Sequence, residues 1–211
     1  MAAHTGIAVI ESKWFEGSNV SVRGLFDLVA DLATDTPHAY HYEMACSEVA
    51  LKEAIPRVAK DNSCRYLCLA MHGNDKGLQL INGDQVTRTE LKNMLVRIRA
   101  QRGAKLAGIH MAACIFGTEE IAEKLFSTPT ELRWMAGYTQ EVDWIESSAL
   151  DLLFFNYLAD LDDVPLTEIQ KIHAVARKLT GSVDGLVKKL GFGIYVRKQR
   201  TGGAKNLMAQ V

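Results

Sequence analysis

The stretch Lys105–Gly117, with the sequence KLAGIHMAACIFG, decides the fold that this chain is expected to adopt. Its apolar run at 106–113 is short and uncharged, which is typical of a strand covered on both faces of a sheet. The run ends in Cys114, and the residues GTEE at 117–120 have the composition of a helix start. The stretch therefore predicts a buried strand that ends in a thiol and leads into a helix.

A second apolar run, Tyr66–Met71, ends in His72 and Gly73. If the two runs are neighbouring parallel strands, about 4.8 Å apart, the Cys114 thiol and the His72 imidazole lie within reach of each other at one sheet edge. A cysteine beside a histidine is a nucleophilic pair. Taken singly, such a cysteine is more often a core residue and such a histidine a turn residue; their joint position at two strand ends favours catalysis.

Strand and helix patterns alternate along the chain without repeats or low-complexity linkers. This alternation predicts an α/β fold: a three-layer helix-sheet-helix sandwich with a mostly parallel sheet of about six strands, in one domain over 1–211. Segment 198–211 is expected to be a loose tail, and Phe192–Val196 a final strand at a sheet edge, free to pair with a second copy. Ligands bind beyond the carboxyl ends of the strands in such folds, where His72 and Cys114 are expected.

Composition excludes several classes of function. With 211 residues, 48% hydrophobic and 23% charged, and a net charge of -1, the chain has no general attraction to nucleic acid or to acidic membranes. No stretch has the length of a membrane span, and the N-terminus lacks the pattern of a signal peptide. We therefore expect a cytoplasmic protein with no nucleic-acid or membrane partner.

The remaining cysteines and histidines do not suggest a metal site. Cys64 and Cys68 on one strand lie roughly 13 Å apart, too far for a disulfide or for shared zinc ligation. Both are predicted to be core residues of a reduced protein. His110 is expected to be a sheet residue, and no histidine spacing matches zinc binding, so neither metal nor cofactor is expected.

Two short motifs carry a resemblance to a known family. The sequence LAMHG stands before a small hairpin predicted over 77–86, and HMAAC-x-x-G follows, with His72 42 positions before Cys114. Together they resemble the caspase-like cysteine peptidases, whose histidine precedes the cysteine by about 50 residues. With the later stretch GYTQEVDWIESSALDLLFF, they are most similar to the bacterial CHAT-type branch. The resemblance covers 7–157.

The resemblance implies a cysteine endopeptidase without a third catalytic side chain or a cofactor. Cys114 would attack the peptide carbonyl, His72 would protonate the leaving amine, and the backbone amides of Gly73 and Cys114 would hold the oxyanion. Ala112 stands where caspases have glutamine and metacaspases aspartate, and the glycine after the cysteine is displaced to Gly117. Cleavage after aspartate is therefore not implied.

Acidic and aromatic residues near the same sheet edge suggest a substrate pocket. Glu11 ends the first strand, and Glu141, Asp143 and Trp144 follow the fifth, with Trp14 as a second wall. Such a pocket suits a lysine or arginine before the cut bond, with Asp143 the preferred carboxylate. The alternative is that these acids are solvated loop residues and Trp144 belongs to the core.

The sequence thus favours a cysteine endopeptidase acting on a protein or peptide substrate. By analogy with the CHAT branch, it would be a regulated bacterial defence or cell-death effector, activated by a protein partner or by dimerisation. One alternative is a catalytically inactive scaffold that serves as a protein-interaction module. The other is a thiol hydrolase or acyltransferase acting on a small molecule.

Overall fold

A computed structural model describes residues 6–35, 39–61, 63–99, 105–127, 130–198 and 203–210. The strands, numbered in chain order, are β1 Ile7–Glu11, β2 His41–Met44, β3 Tyr66–Ala70, β4 His72–Gly73, β5 Leu78–Gln79, β6 Gln85–Val86, β7 Gly108–Ala112, β8 Trp134–Tyr138, β9 Phe192–Arg197 and β10 Ala204–Asn206. The helices are α1 Arg23–Leu28, which continues as a π-helical turn over Val29–Ala33, α2 Glu48–Lys60, α3 Arg88–Arg99, α4 Glu119–Phe126, α5 Trp144–Ala159 and α6 Glu168–Lys189.

Within these residues the main sheet has seven strands in the order β10-β9-β8-β7-β3-β1-β2. The pairs from β2 through to β8 are parallel, whereas β9 runs antiparallel to β8 and β10 antiparallel to β9. The predicted mostly parallel sheet is confirmed. The expected count of about six strands is one too low, because β10 was not foreseen.

Helices cover both faces of the sheet, as predicted for a three-layer sandwich. Alternate side chains of each inner strand point to opposite faces, so β1 buries Ile10 on one side and Val9 on the other. Helices α2, α3 and α4 pack on the Ile10 face and α1, α5 and α6 on the Val9 face. Both faces of the inner strands are therefore buried, which explains their continuous apolar sequences.

Two helices continue past a feature that ordinarily interrupts a helix. Pro56 lies inside α2, yet the helix continues to Lys60, because Ile55, Val58 and Ala59 are completely buried against the sheet. Helix α6 consists of two helical stretches that meet at a kink. Val183 alone has a non-helical conformation inside it (φ -141°, ψ 36°) and marks a kink.

The end of the chain corrects two expectations. Phe192–Val196 was predicted to be an edge strand, but β9 lies between β8 and β10, so its backbone is already paired on both sides. The segment 198–211 was expected to be loose, and residues 199–202 and 211 of it lie outside the described residues. Within 203–210, Ala204 and Leu207 are buried, and β10 is paired with β9 in register. Ala204 in β10 and Leu207 just after it supply apolar contacts that the sequence pattern did not reveal.

A small second sheet extends from the end of β3. The predicted hairpin is present, with β5 and β6 paired antiparallel and Gly83 (φ 89°) in its turn. Unexpectedly, β4 pairs with β5, so that His72 lies opposite Gln79. The hairpin thereby holds the backbone of His72. In the described part of the chain, no helix is long and apolar enough to cross a bilayer.

We expect Leu207→Ala to lower the free energy of unfolding by about 2–5 kcal/mol, because Leu207 is only 4% exposed and its removal leaves a cavity. Urea unfolding, compared at constant m, measures this change. Lys205→Ala, at a half-exposed position of β10, is the matched control and should change stability by less than about 0.5 kcal/mol. Equal stability of both variants and the parent would mean that residues 203–210 are not packed on β9.

Candidate active site

The register of the central strands brings the two predicted site residues together. β3 and β7 are parallel neighbours with Ala70 opposite Ala112, so His72 and Cys114 each lie two residues beyond a paired position. Both side chains are half-buried, and both line one cavity of about 290 Å³ at the carboxyl ends of the strands. The fold therefore places Cys114 and His72 at the same edge of the sheet, as expected.

Direct backbone contact joins the two strand ends. A Cβ atom at Gly73 would lie 2.2 Å from the carbonyl oxygen of Cys114 and 3.1 Å from the Cβ of Ala113. Real Cβ atoms do not approach backbone so closely, so only glycine fits at position 73 without separating the two segments. This contact fixes the position of the residue after His72 against the backbone of Cys114.

The turn after Cys114 is fixed to β8 and its following loop. Ile115 has a left-handed conformation (φ 61°), which is uncommon for a β-branched residue. Its N–H donates to Gln140 O (3.2 Å), and that of Gly117 donates to Tyr138 O (2.8 Å). A Cβ at Gly117 would lie 2.1 Å from the carbonyl carbon of Gly137. The turn that carries the thiol is thus held in one strained conformation.

His72 is oriented by the loop that follows β1. Its Nε2 lies 2.8 Å from the carbonyl oxygen of Trp14, and because a carbonyl can only accept, Nε2 carries the proton of this hydrogen bond. The rings of Trp14 and Phe15 meet the imidazole edge-on, with centroids at 5.2 and 5.3 Å. Nδ1 is therefore the nitrogen that remains available for proton transfer.

The cavity combines apolar walls with a polar floor and rim. Trp14, Phe15, Val22, Val142 and Trp144 supply the apolar surface, whereas Ser147, Ser148 and two aspartates supply polar groups. These residues come from the loop after β1, the loop after β8 and the first turns of α5. The cavity lies on the face of the sheet covered by α1, α5 and α6.

Asp151 lies at this cavity and was missed from the sequence. It is 6% exposed, and its Oδ1 lies 2.8 Å from Nε2 of His110 and accepts a hydrogen bond from the Tyr138 hydroxyl at 2.5 Å. Among the described residues, Oδ2 has no hydrogen-bond partner. Burial, with the nearby Asp151 charge, raises the pKa of Tyr138 well above its usual value, so its hydroxyl remains a donor. The only sequence signal was that Asp151 is the one acid between Ser147 and Leu158, and a single acid in a helix is more typical of a solvent-facing position.

The predicted pocket residues after β8 have different positions. Trp144 lines the cavity and is half-buried. Asp143 also lines it, but the carboxylate is the N-cap of α5 and its Oδ1 accepts from the N–H groups of Ile145 (2.9 Å) and Glu146 (3.1 Å). Glu141 is exposed and does not line the cavity.

Glu11 requires a correction. It was expected as a carboxylate of the pocket, but its side chain is completely buried and does not line the cavity. Donors from the next loop and from β2 surround it and satisfy both oxygens. A carboxylate without a free oxygen or access to solvent cannot bind a substrate cation, so Glu11 is not a pocket residue.

The other candidates remain structural. His110 is a completely buried residue of β7, stacked on Phe154 with ring centroids at 5.4 Å. Cys64 and Cys68 are buried and free, as predicted. Among the described residues, no group of three or more His, Cys, Asp or Glu side chains is placed to hold a metal ion.

Comparison with known proteins identifies the fold. The sequence matches no protein-family model and no curated protein. Among solved structures, this chain is similar to an inactive zymogen C11 protease from Parabacteroides distasonis (TM-score 0.56, 12% identity, covering 91% of this chain and 61% of that one). It is also similar to a secreted C11 cysteine protease from Bacteroides thetaiotaomicron, "iotapain" (TM-score 0.48, 10% identity, covering 90% and 65%).

This chain spans less than two thirds of the length of either structure. C11 proteases belong to the caspase-like clan, so the fold that the sequence resemblance implied is confirmed. Neither structure is described as a CHAT-type protein, and that assignment stays a prediction.

The four thiols should differ sharply in reactivity. Burial, reinforced by the Asp61 charge, raises the pKa of Cys64 to about 12, and complete burial raises that of Cys68 well above its usual value. A raised pKa leaves less of the reactive thiolate at a given pH. At pH 8 we therefore expect iodoacetamide to modify the half-exposed Cys114 and Cys46 in the native protein, and Cys64 and Cys68 only after unfolding.

Mass spectrometry of tryptic peptides measures the rate at each position. The Cys114→Ala variant, with three thiols left, is the control for peptide assignment. Native modification of Cys68 at the rate of Cys46 would contradict the burial described for β3.

Proposed function

We propose that this chain is a cysteine peptidase in which Cys114 is the nucleophile and His72 moves the proton. The observation that carries the proposal is that both side chains line one cavity while the backbone of Gly73 lies against the carbonyl of Cys114. Nucleophilic catalysis requires a thiol and a base held close together, and the contact at Gly73 supports such an arrangement. The similarity to C11 proteases supports the fold for this chemistry, and the site residues themselves are our assignment.

The reaction follows from the two side chains. The thiol of Cys114 gives its proton to Nδ1 of His72, and the sulfur forms a bond to the peptide carbonyl carbon. The carbonyl oxygen takes the negative charge, which the amides of Gly73 and Cys114 stabilise. The C–N bond then breaks, the amine leaves with the proton from His72, and a thioester remains. Water adds to the thioester, the C–S bond breaks, and the acid and the thiol are released.

The hydrogen bond to Trp14 suits this cycle. Since Nε2–H is committed to the Trp14 carbonyl, one ring nitrogen is fixed as donor and the other is left to accept and return a proton. When Nδ1 is protonated, the carbonyl still accepts from Nε2–H and stabilises the positive ring. A separate carboxylate is not needed to orient His72.

We further propose that the peptidase prefers a lysine or arginine before the cut bond, with Asp151 rather than Asp143 as the main carboxylate. Both carboxylates line the cavity and both use Oδ1 in hydrogen bonds within the protein, but Asp151 is buried whereas Asp143 is exposed. The charge of Asp151 is therefore screened less by solvent and would attract a bound cation more strongly. Trp14 and Trp144 provide apolar walls along which the aliphatic part of a basic side chain would pack. Asp143 adds a second negative charge at the rim.

The biological context stays a prediction. A bacterial defence or cell-death role, activation by a protein partner and a cytoplasmic location rest on the sequence resemblance and on the four free cysteines. Dimerisation through β9 is withdrawn, because both of its sides are paired. Peptidase assays with and without candidate activators test whether a protein partner activates the enzyme.

Replacing either member of the pair should reduce turnover strongly. Cys114→Ala removes the nucleophile, and we expect hydrolysis of a mixed peptide library to fall to the background rate. His72→Ala should lower kcat by about 10²–10⁴-fold, the usual contribution of a proton-transfer residue. Cys46→Ala, which removes a half-exposed thiol outside the cavity, is the control and should retain full activity.

The same variants separate the alternatives. Turnover of small thioesters without peptide cleavage, lost in Cys114→Ala, would indicate a thiol hydrolase or acyltransferase. No turnover of either substrate, with Cys114 alkylated no faster than Cys46, would indicate an inactive scaffold.

The pocket assignment makes a separate prediction. Asp151→Asn keeps the shape and an acceptor for Tyr138 but removes the charge, so kcat/KM for peptides with lysine or arginine before the cut bond should fall at least about 30-fold, equivalent to about 2 kcal/mol. Peptides with leucine at that position should be cut at an unchanged rate. Asp143→Asn is the control: it removes a charge but keeps an N-cap acceptor for α5, and it should preserve the preference for basic residues. Loss of the preference in Asp143→Asn alone would transfer the role to that residue.

A further inference from the structure

Glu11 is a buried carboxylate at the end of β1 whose two oxygens are fully used. Oε1 accepts from Nε1 of Trp14 (2.6 Å) and from the N–H of Val22 (2.9 Å). Oε2 accepts from the hydroxyls of Ser21 (2.6 Å) and Tyr42 (2.5 Å). Burial of a carboxylate is costly unless it is hydrogen-bonded, and four donors satisfy that requirement here.

The four donors show what Glu11 holds. Trp14 lies near the start of the loop between β1 and α1, and Ser21 and Val22 lie at its end. Glu11 therefore ties the two ends of this loop to the last residue of β1. Tyr42 adds an anchor on β2, and because burial and the bond to Glu11 raise the pKa of Tyr42 to about 12, its hydroxyl remains a donor near neutral pH.

The loop that Glu11 ties down is the one that orients His72. Trp14 makes both contacts: its indole N–H donates to Glu11, and its carbonyl oxygen accepts from Nε2 of His72. Its ring and that of Phe15 also flank the imidazole. A chain of two hydrogen bonds through one residue thus connects the buried carboxylate to the proposed proton carrier.

We propose that Glu11 is a positioning residue for His72 that acts through Trp14. By fixing the loop, it keeps the Trp14 carbonyl on Nε2–H and so leaves Nδ1 free for proton transfer. Glu11 does not line the cavity, so it has no contact with a substrate. The expected effect of Glu11 on catalysis rests on the proposed function. Its expected effect on which nitrogen of His72 carries the proton does not.

Two substitutions of Glu11 should have different outcomes. Glu11→Ala removes every acceptor, and we expect kcat to fall about 100-fold, as for other misplaced catalytic groups. In Glu11→Gln the amide oxygen can face the two N–H donors while its NH₂ faces two hydroxyls, which can turn to accept. The glutamine variant should therefore stay within about tenfold of the parent.

The tautomer of His72 gives a second readout, which would not change if Glu11 only stabilised the fold. Long-range ¹H–¹⁵N spectra distinguish the Nε2–H from the Nδ1–H form of a neutral imidazole. We expect only the Nε2–H form in the parent and in Glu11→Gln, and a mixture of the two in Glu11→Ala. Glu16→Gln, an exposed position of the same loop, is the matched control and should leave the spectrum and kcat unchanged.

Trp14→Phe covers the case in which Glu11→Ala does not fold. It removes only the indole N–H and keeps an aromatic ring and the carbonyl, so a smaller population of the Nδ1–H form is expected. A pure Nε2–H form in folded Glu11→Ala, or in Trp14→Phe when the alanine variant is unfolded, would overturn the proposal. A parent protein that cuts no peptide but shows the expected change of form would refute the peptidase and leave the positioning role intact.

Discussion

Parallel pairing of β3 with β7 sets Ala70 opposite Ala112, and the geometry of the cavity follows from this register. Since side chains alternate along a strand, a slip of one residue would turn either His72 or Cys114 to the opposite face of the sheet. The register is protected because both faces of both strands are buried in apolar layers. The same packing that stabilises the fold therefore keeps the thiol and the imidazole on one side.

The ends of β7 and β3 are held by different contacts. Beyond β7, the strained turn at Ile115 is bonded to the loop after β8, and Gly117 packs directly on Gly137. Beyond β3, the antiparallel pairing of β4 with β5 holds the backbone of His72. Gly73 allows the two strand ends to touch, because any larger residue would separate its backbone from that of Cys114. The pairing of β4 with β5 joins neighbouring segments, whereas the contacts of Gly73 with Cys114 and of Gly117 with Gly137 join segments distant in sequence.

Features that follow from a continuous pattern were predictable from the sequence. The buried parallel strands have apolar runs, and their last residues identified His72 and Cys114 as neighbours. The hairpin at Gly83 has its usual turn residues. β10 was not predictable in this way, because it is three residues long and its burial depends on contacts with β9 and the helix layer.

The pocket shows why the remaining residues were harder to assign. Glu11 ends a strand, as expected, but its burial results from donors at positions 14, 21, 22 and 42 that no spacing rule connects. Asp151 was hidden in an apolar helix, where a single acid suggests a solvent-facing position. Only the tertiary contact with His110 and Tyr138 turns it toward the cavity. Glu11, expected in the pocket, is therefore buried away from it, whereas Asp151, which its sequence context would place toward solvent, lines the cavity.

The bond between Asp151 and His110 has a mechanical consequence. His110 belongs to β7, four residues before Cys114, and its ring is packed among aromatic side chains that leave it little freedom. A molecule that draws the Asp151 carboxylate outward must lengthen this bond or pull on the strand itself. This hydrogen bond therefore connects the floor of the cavity to the strand that leads to the sulfur of Cys114.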